Sequence, residues 1–344
     1  MLALVISEPH QYTVRDVLET RPHPLHGRIF ILSYDEFLSL PRLPRATWLF
    51  LDIERLSADD LAATLARLER LRAACPDAQI LNRPERIRGR MEVMARLSAA
   101  RINDFRVLPL DTPPDELRFP VFLRGIQDHD GPKSQLLHSP AELAEAIAAL
   151  PAPEGHVITE YIDARNDEGL FEKRSYMQIG ACLFPSALDT SRNWVCKGEH
   201  GNPDSVAQPV RELDFMNGID DREGLQQAFA LTGIDYGRAD YAIVDGRAQI
   251  FEINTNPWLE PPEQVPAPSR SGAERMIAAW IDALATLERS SEIDRPEWLD
   301  IPGARPASTP RLNRRGIIHR ALRRTGRLHR ETRHMQLLRR LHLV

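Results

Sequence analysis

The stretch RADYAIVDGRAQIFEINTNP, residues 238 to 257, decides the fold. Two apolar runs, Asp240–Val244 and Ala248–Ile253, flank a tight turn and predict antiparallel strands. Glu252 and Asn254 stand two apart on the second strand, so both side chains leave the same face, while Phe251 and Ile253 leave the other and can pack a core. A carboxylate and an amide oxygen side by side at a strand end suit a hard cation such as Mg²⁺. Such an ion bridges phosphate oxygens and neutralises charge during phosphoryl transfer.

Working outward, Pro257, Pro261, Pro262, Pro266 and Pro268 end regular structure after the hairpin, and a helix is predicted near Ala273–Leu287. Upstream, Phe119–Leu123, Val157–Ile162 and Tyr176–Leu183 read as strands. Ser139-Pro-Ala-Glu142 opens a helix to Leu150, with Ser139 as N-cap and Pro140 at the first helical position. The first eighty residues alternate strand and helix signals. Leu2–Ile6, Arg28–Leu32 and Thr47–Leu51 are short apolar runs, and Ser57 caps a helix carrying Leu61, Leu65, Leu68 and Leu71 at helical spacing. Ala78–Leu81 is a further strand, with a helix over roughly 91–101. Alternation of this kind predicts a small parallel sheet.

A strand with Arg-x-Asp, a tight turn, then Glu-x-Asn with a proline soon after resembles the metal hairpin of the ATP-grasp ligases. Glutathione synthetases, ribosomal-protein glutamate ligases and D-alanine–D-alanine ligases carry it. The resemblance implies that Asp240, Glu252 and Asn254 hold one or two Mg²⁺, with Mn²⁺ able to substitute. Arg238 would steady the transferred phosphoryl group or a tetrahedral intermediate. That role for Asp240 sets a condition on register. A two-residue Asp245-Gly246 turn would pair Asp240 with Phe251 and face it away from Glu252. The expectation is therefore a three-residue turn, Val244-Asp245-Gly246, with Gly246 at positive φ and Asp240 opposite Ile250.

Other segments are similar to ATP-grasp motifs in the family's order. Leu81-Asn-Arg-Pro84 looks like the step that opens the nucleotide region, and of Arg86, Arg88 and Arg90 beyond it the phosphate contact falls to Arg90. Phe119-Pro-Val-Phe-Leu-Arg124 resembles the strand ending in a second phosphate-binding base, here Arg124, whose fork suits phosphate oxygens. The family's Gly- and Ser-rich flap is replaced by GIQDHDGPKSQLL (125–137), where His129 is a further phosphate candidate. Val157-Ile-Thr-Glu-Tyr-Ile-Asp163 is similar to the inter-lobe hinge. It implies that Glu160 or nearby backbone meets the adenine amine, Ile162 backbone pairs with the ring, and Asp163 accepts a ribose hydroxyl. Phe171-Glu-Lys-Arg174 resembles a strand whose arginine faces phosphate and acceptor, giving Arg174 a catalytic role. Ser191-Arg-Asn-Trp194 and Lys197-Gly-Glu-His-Gly201 resemble the flexible lid, which implies Lys197 as the base delivered to the γ-phosphate, with Arg192 second.

The implied architecture is an α/β ATP-grasp fold, with nucleotide held between two antiparallel-sheet lobes behind an N-terminal parallel α/β lobe. Its expected bounds are 1–80 for the N-terminal lobe and 81–286 for the ATP-grasp region, split near residue 160. Residues 287–344 form a linker and basic extension. The implied activity is ligation of a small-molecule or peptide carboxylate to an amine through an acyl phosphate, using Mg-ATP. Two alternatives remain: a kinase on the same fold that stops at phosphoryl transfer, and a non-catalytic nucleotide-binding module.

The bulk properties bound these readings. The 344 residues are enough for two or three sub-domains. No apolar run reaches the eighteen or so residues of a membrane span. Met1–Ile6 reads as a first strand rather than a signal peptide. Cys75, Cys182 and Cys196 show no metal-ligand spacing or disulfide framework, which fits a reducing cytoplasm. Net charge is −5, unevenly spread. Gly303 to Val344 holds twelve Arg and one acidic residue, leaving 32 basic against 48 acidic residues elsewhere. This tail is expected to pack on the acidic body through an apolar stripe, with binding to an anionic partner as the alternative.

Overall fold

Four β-sheets organise the described residues of a computed structural model of the chain: 1–126, 131–196, 207–218, 222–265, 267–290, 293 and 297–305. The architecture is mixed α/β, with one parallel sheet and three antiparallel ones. Strands β1 (Leu2–Val5), β2 (Ile29–Leu32), β4 (Thr47–Phe50) and β5 (Ile80–Leu81) pair in parallel in the order β2-β1-β4-β5. A parallel sheet needs cover on both faces, which is why β1 is apolar at every position. Ala3 and Val5 pack with Phe37, Trp48 and Phe50. Leu2 and Leu4 join the other core, with Trp280 and Leu284 of the long C-terminal helix. Helices α1 (Tyr12–Leu18), α2 (Tyr34–Ser39) and α3 (Ala58–Ala74) flank this lobe, and Ser57 caps α3 by accepting the Asp60 N–H at 3.1 Å.

After α4 (Arg90–Ala99), strands β6 (Val107–Pro109), β7 (Val121–Gly125) and β8 (His156–Glu160) form a three-stranded antiparallel sheet, β6-β8-β7, with α5 (Pro140–Ala148) against it. The largest antiparallel sheet follows the order β10-β9-β11-β12. It contains β9 (Phe171–Ile179), β10 (Cys182–Ser191), β11 (Tyr236–Val244) and β12 (Arg247–Asn254). The expected single strand Tyr176–Leu183 is instead two strands, reversed at Gly180, whose φ of 55° permits the turn. Helices α6 (Ala207–Asn217), α7 (Arg222–Thr232) and α8 (Arg270–Arg289) complete the body. Trp280 of α8 donates to the Tyr236 hydroxyl at 3.1 Å, tying α8 to β11.

Two buried asparagines set the large sheet in place. Asn82, in left-handed backbone at φ 47°, donates to the Tyr236 carbonyl and accepts the N–H groups of Asp235 and Tyr236. Asn103 brackets Ile250, donating to its carbonyl and accepting its N–H, both at 2.8 Å. Because β12 is an edge strand, these side-chain bonds satisfy backbone groups that a neighbouring strand would otherwise take.

The chain returns to the N-terminal lobe through β13 (Trp298–Asp300), antiparallel to β3 (Arg42–Pro44). Buried Arg67 donates to the carbonyls of Ile301 and Pro302, and the Arg305 N–H donates to Leu38. Residues 306–344, most of the basic tail, lie outside the described residues. No helix among the described residues is long and apolar enough to cross a membrane.

Candidate active site

The β11–β12 hairpin differs from expectation at its turn and reaches the expected face by another route. Val244 pairs with Arg247, so the loop is the two-residue Asp245-Gly246, with φ of 50° and 74°, rather than a three-residue turn. Asp-Gly suits this turn because both positions need left-handed backbone. That register alone would turn Glu252 away from Asp240. A β-bulge intervenes: Tyr241 pairs with Ile250, whereas Asp240 pairs with Glu252, leaving Phe251 as the extra residue. Asp240 therefore lies directly opposite Glu252, and Arg238 opposite Asn254, with all four side chains on one face.

Cationic side chains from three other elements converge here. Glu252 Oε2 accepts Arg90 from the first turn of α4 at 2.8 Å and Arg124 from β7 at 3.3 Å. Asp240 accepts the Ser175 hydroxyl at 2.9 Å and Arg238 Nε at 3.0 Å, with Lys173 Nζ 3.8 Å away. Lys173 also pairs with Asp189 of β10 at 3.0 Å. Burial pushes the Asp240 carboxyl up, but Arg238, Lys173 and Ser175 outweigh it and hold it below its ordinary value. Burial likewise disfavours charged Lys173, and Asp240 and Asp189 reverse that, keeping the ammonium firmly protonated. Asn254 Oδ1 accepts the Asn256 N–H at 2.9 Å.

Asp240, Glu252, Asn254, Arg124, Arg238 and Lys173 line a cavity of about 740 Å³ between the three- and four-stranded antiparallel sheets, within the range typical of small-molecule sites. Its other wall is the β6-β8-β7 sheet. Val107, Thr159 and Phe122 stand directly opposite one another on that wall, and the buried Thr159 hydroxyl has no partner among the described residues. The N-terminal lobe supplies His10 and Asp52 from the carboxyl ends of β1 and β4, where the order of the parallel strands reverses. Ligands collect at such switch points. Asp52, buried and at φ 58°, accepts Asn256 at 2.9 Å and contacts His10 Nδ1 at 2.9 Å.

The remaining predicted residues divide. Ile162 lines the cavity. The Glu160 carboxylate does not face it freely: it accepts the N–H groups of Arg106 and Arg118 at 2.9 and 3.0 Å and both guanidiniums. Burial would raise this carboxyl, but the two arginines bring it down to about 2. The side chain is thus a clamp between β8 and the segments preceding β6 and β7. Asp163 is exposed, pairs with Arg165 and does not line the cavity, although its neighbours Ile162 and Ala164 do. Arg174 is displaced outright. It alternates with Lys173 and Ser175, so it projects from the opposite face, over the Phe215 ring at 5.8 Å and beside Glu172 at 3.0 Å. Lys173, not Arg174, is the cation on the site's face. Lys197 and His129 lie outside the described residues. Cys196 borders the cavity, and burial, then Asp189, pushes its thiol up to about 12, which disfavours the thiolate.

No family model matches the sequence, and no curated protein matches it. Solved structures are similar to it over most of its length. A D-alanine–D-alanine ligase from Bacillus anthracis complexed with ATP covers 84% of this chain and 98% of its own, at 12% identity and a TM-score of 0.46. The ATP-grasp ligase PsnB, complexed with precursor peptide PsnA2 and AMPPNP, covers 83% and 97% at 15% identity and 0.48. The VanG D-Ala:D-Ser ligase from Enterococcus faecalis covers 83% and 98% at 11% identity and 0.48. At these identities and scores nothing about activity passes from them to this chain.

Proposed function

We propose that this chain is an ATP-grasp enzyme, an ATP-dependent ligase that joins a carboxylate to an amine through an acyl phosphate. The observation that carries the reading is the bulged hairpin. It places Asp240, Glu252 and Asn254 on one face of an inter-sheet cavity, with Arg90 and Arg124 converging on Glu252. The oxygen donors fit Mg²⁺ by chemistry and charge. Among the described residues no three His, Cys, Asp or Glu side chains cluster as a metal cage. That also fits Mg²⁺, which is held by one or two carboxylates and completes its shell with water and phosphate oxygens. Glu252 and Asn254, with Asp240 opposite, would hold the ion, which when bound neutralises phosphate charge.

The chain's own groups supply the rest. Arg90 and Arg124, which otherwise compensate Glu252, would take triphosphate oxygens once a nucleotide enters. Lys173 and Arg238 keep Asp240 ionised and add positive charge where the acyl phosphate develops it negatively. Val107, Phe122 and Ile162 would form an apolar slot for a purine, and the Thr159 hydroxyl, without a partner among the described residues, and hinge backbone its polar contacts. Asp163, next to the lining residue Ile162, would accept a ribose hydroxyl. Catalysis of this kind needs positioning and charge rather than a side-chain nucleophile. The test is ADP release from Mg-ATP over a panel of carboxylates, with and without amines. ADP and an amide product, both lost in Glu252→Gln, are expected. ADP formed with a stable phosphorylated product, amine or not, would replace the ligase by a kinase. Failure to bind Mg-ATP would sink both.

A further inference from the structure

The cavity has a second charged end that the steps above leave unused. It is walled by β10, α6 and the first turns of α8. Glu212 of α6 lines it, lying over Gly272 of α8. A Cβ at Gly272 would stand 3.1 Å from the Glu212 carboxyl carbon, so the glycine leaves the carboxylate its room. Asp189 of β10 and Glu260 are the nearby anions. Lys173 of β9 is the facing cation, already paired with Asp189. From α8 the lining residues are Ala273 and Met276, which bring no charge. Burial, then Asp189, raises the Glu212 carboxyl to about 7.

An independent observation marks the same wall. Ser186 is the extra residue of a second bulge, between Pro185, paired with Tyr176, and Ala187, paired with Ser175. Bulges re-aim side chains. Ser186 is only 5% exposed and lines the cavity, and its hydroxyl has no hydrogen-bond partner among the described residues. A buried hydroxyl left unsatisfied in a cavity wall is unfavourable until something fills it.

We infer that this end of the cavity binds a primary ammonium group, the acceptor of the proposed ligation, and that Glu212 takes its proton. The inference rests on the ligase reading for its chemical step. The ammonium gives one proton to the Glu212 carboxylate. The freed nitrogen lone pair forms the C–N bond at the acyl carbon, and the C–O bond to phosphate breaks with its electron pair on the departing oxygen. The second nitrogen proton leaves with inorganic phosphate. A base near 7 lies about 3 pH units below an ordinary alkylammonium, against about 6 for an ordinary glutamate, which makes the transfer far less uphill.

Binding measured without ATP or metal separates this inference from the ligase reading. The probe is n-butylammonium, with n-pentanol as its neutral counterpart, titrated by ligand-observed NMR at pH 8.5 into the full chain. Saturable binding of the ammonium, weakened at least about tenfold in Glu212→Gln and less in Ser186→Ala, is expected. Thermal melting verifies that both variants fold, and Ser186→Ala keeps the test alive should Glu212→Gln fail. Equal affinity in wild type and both variants, binding of pentanol as tight as butylammonium, or no saturable binding would overturn it. If ammonium binding follows Glu212 while ADP release never depends on an amine, the ligase reading falls and the ammonium site stands.

Discussion

Glu160→Gln separates two roles for one carboxylate. The family resemblance gives Glu160 or nearby backbone to the adenine amine, whereas the Glu160 carboxylate pairs with Arg106 and Arg118. The fall of its pKa from 4.5 to about 2 corresponds, at about 1.36 kcal/mol per pH unit, to about 3.4 kcal/mol. The Arg118 side chain is 59% exposed, so screening trims this to about 2–3 kcal/mol. Because the folded pKa is depressed, the contribution is present above pH 4.5 and is lost as pH falls towards 2. Wild type should therefore exceed the variant by about 2–3 kcal/mol in urea unfolding at pH 7, or about 3–4 °C in melting temperature. The gap should close by up to about 1.4 kcal/mol per pH unit below pH 4.5. Nucleotide affinity, measured by equilibrium dialysis at a temperature where both proteins are folded, should change less than about threefold. A variant as stable as wild type at pH 7 that has lost nucleotide binding would refute the clamp and return the carboxylate to the ligand.

Four further outcomes follow from the site. Glu252→Gln should lower ADP release by at least about a hundredfold with little change in melting temperature, since the site rests on charge rather than packing. Lys173→Met should lower it by at least about tenfold while Arg174→Met changes it less than about threefold, the two residues facing opposite sides of the sheet; the reverse ranking would overturn the assignment of faces. Gly246→Ala, at φ 74°, should cost about 1–2 kcal/mol in unfolding experiments without altering ADP release. Deleting 306–344, which spares the Arg305 contacts to Leu38 and Asp60, should leave basal ADP release intact and lower the melting temperature; loss of amine-dependent turnover at unchanged stability would favour an anionic partner for the tail.

The sequence was legible wherever one local period decided the outcome. β1, β2 and β4 lie within the predicted apolar runs, Ser57 and Ser139 cap the expected helices, and Glu252 and Asn254 share a face because strand periodicity is two. Legibility stopped at non-local pairing. Lys173 and Arg174 are both basic residues on one strand, and only the register of β9 against β11, fixed at Asp240 opposite Ser175, selects the lysine. Arg106 and Arg118 lie 54 and 42 residues from Glu160, and no pattern in the hinge motif announces them.

The hairpin turn shows how a correct destination can be predicted by a wrong route. Placing Asp240 beside Glu252 requires one extra residue somewhere in the hairpin. At the turn it would have cost the Asp-Gly dipeptide its preferred two-residue geometry. In β12 the extra residue is Phe251, whose ring packs 5.9 Å from Phe105, while Asn103 holds both backbone groups of Ile250 beside it. The bulge is therefore held by Asn103, 147 residues before Ile250, and the turn keeps its best geometry. Weakening that hold should disturb the site before the fold. Asn103→Ala leaves the N–H and carbonyl of Ile250 without their side-chain partner, a loss of about 1–3 kcal/mol in unfolding. It also releases the register to slip, which would turn Glu252 away from Asp240. Mg-ATP turnover in this variant should fall further than its stability predicts, and turnover that merely tracks the folded fraction would show that the bulge holds without Asn103.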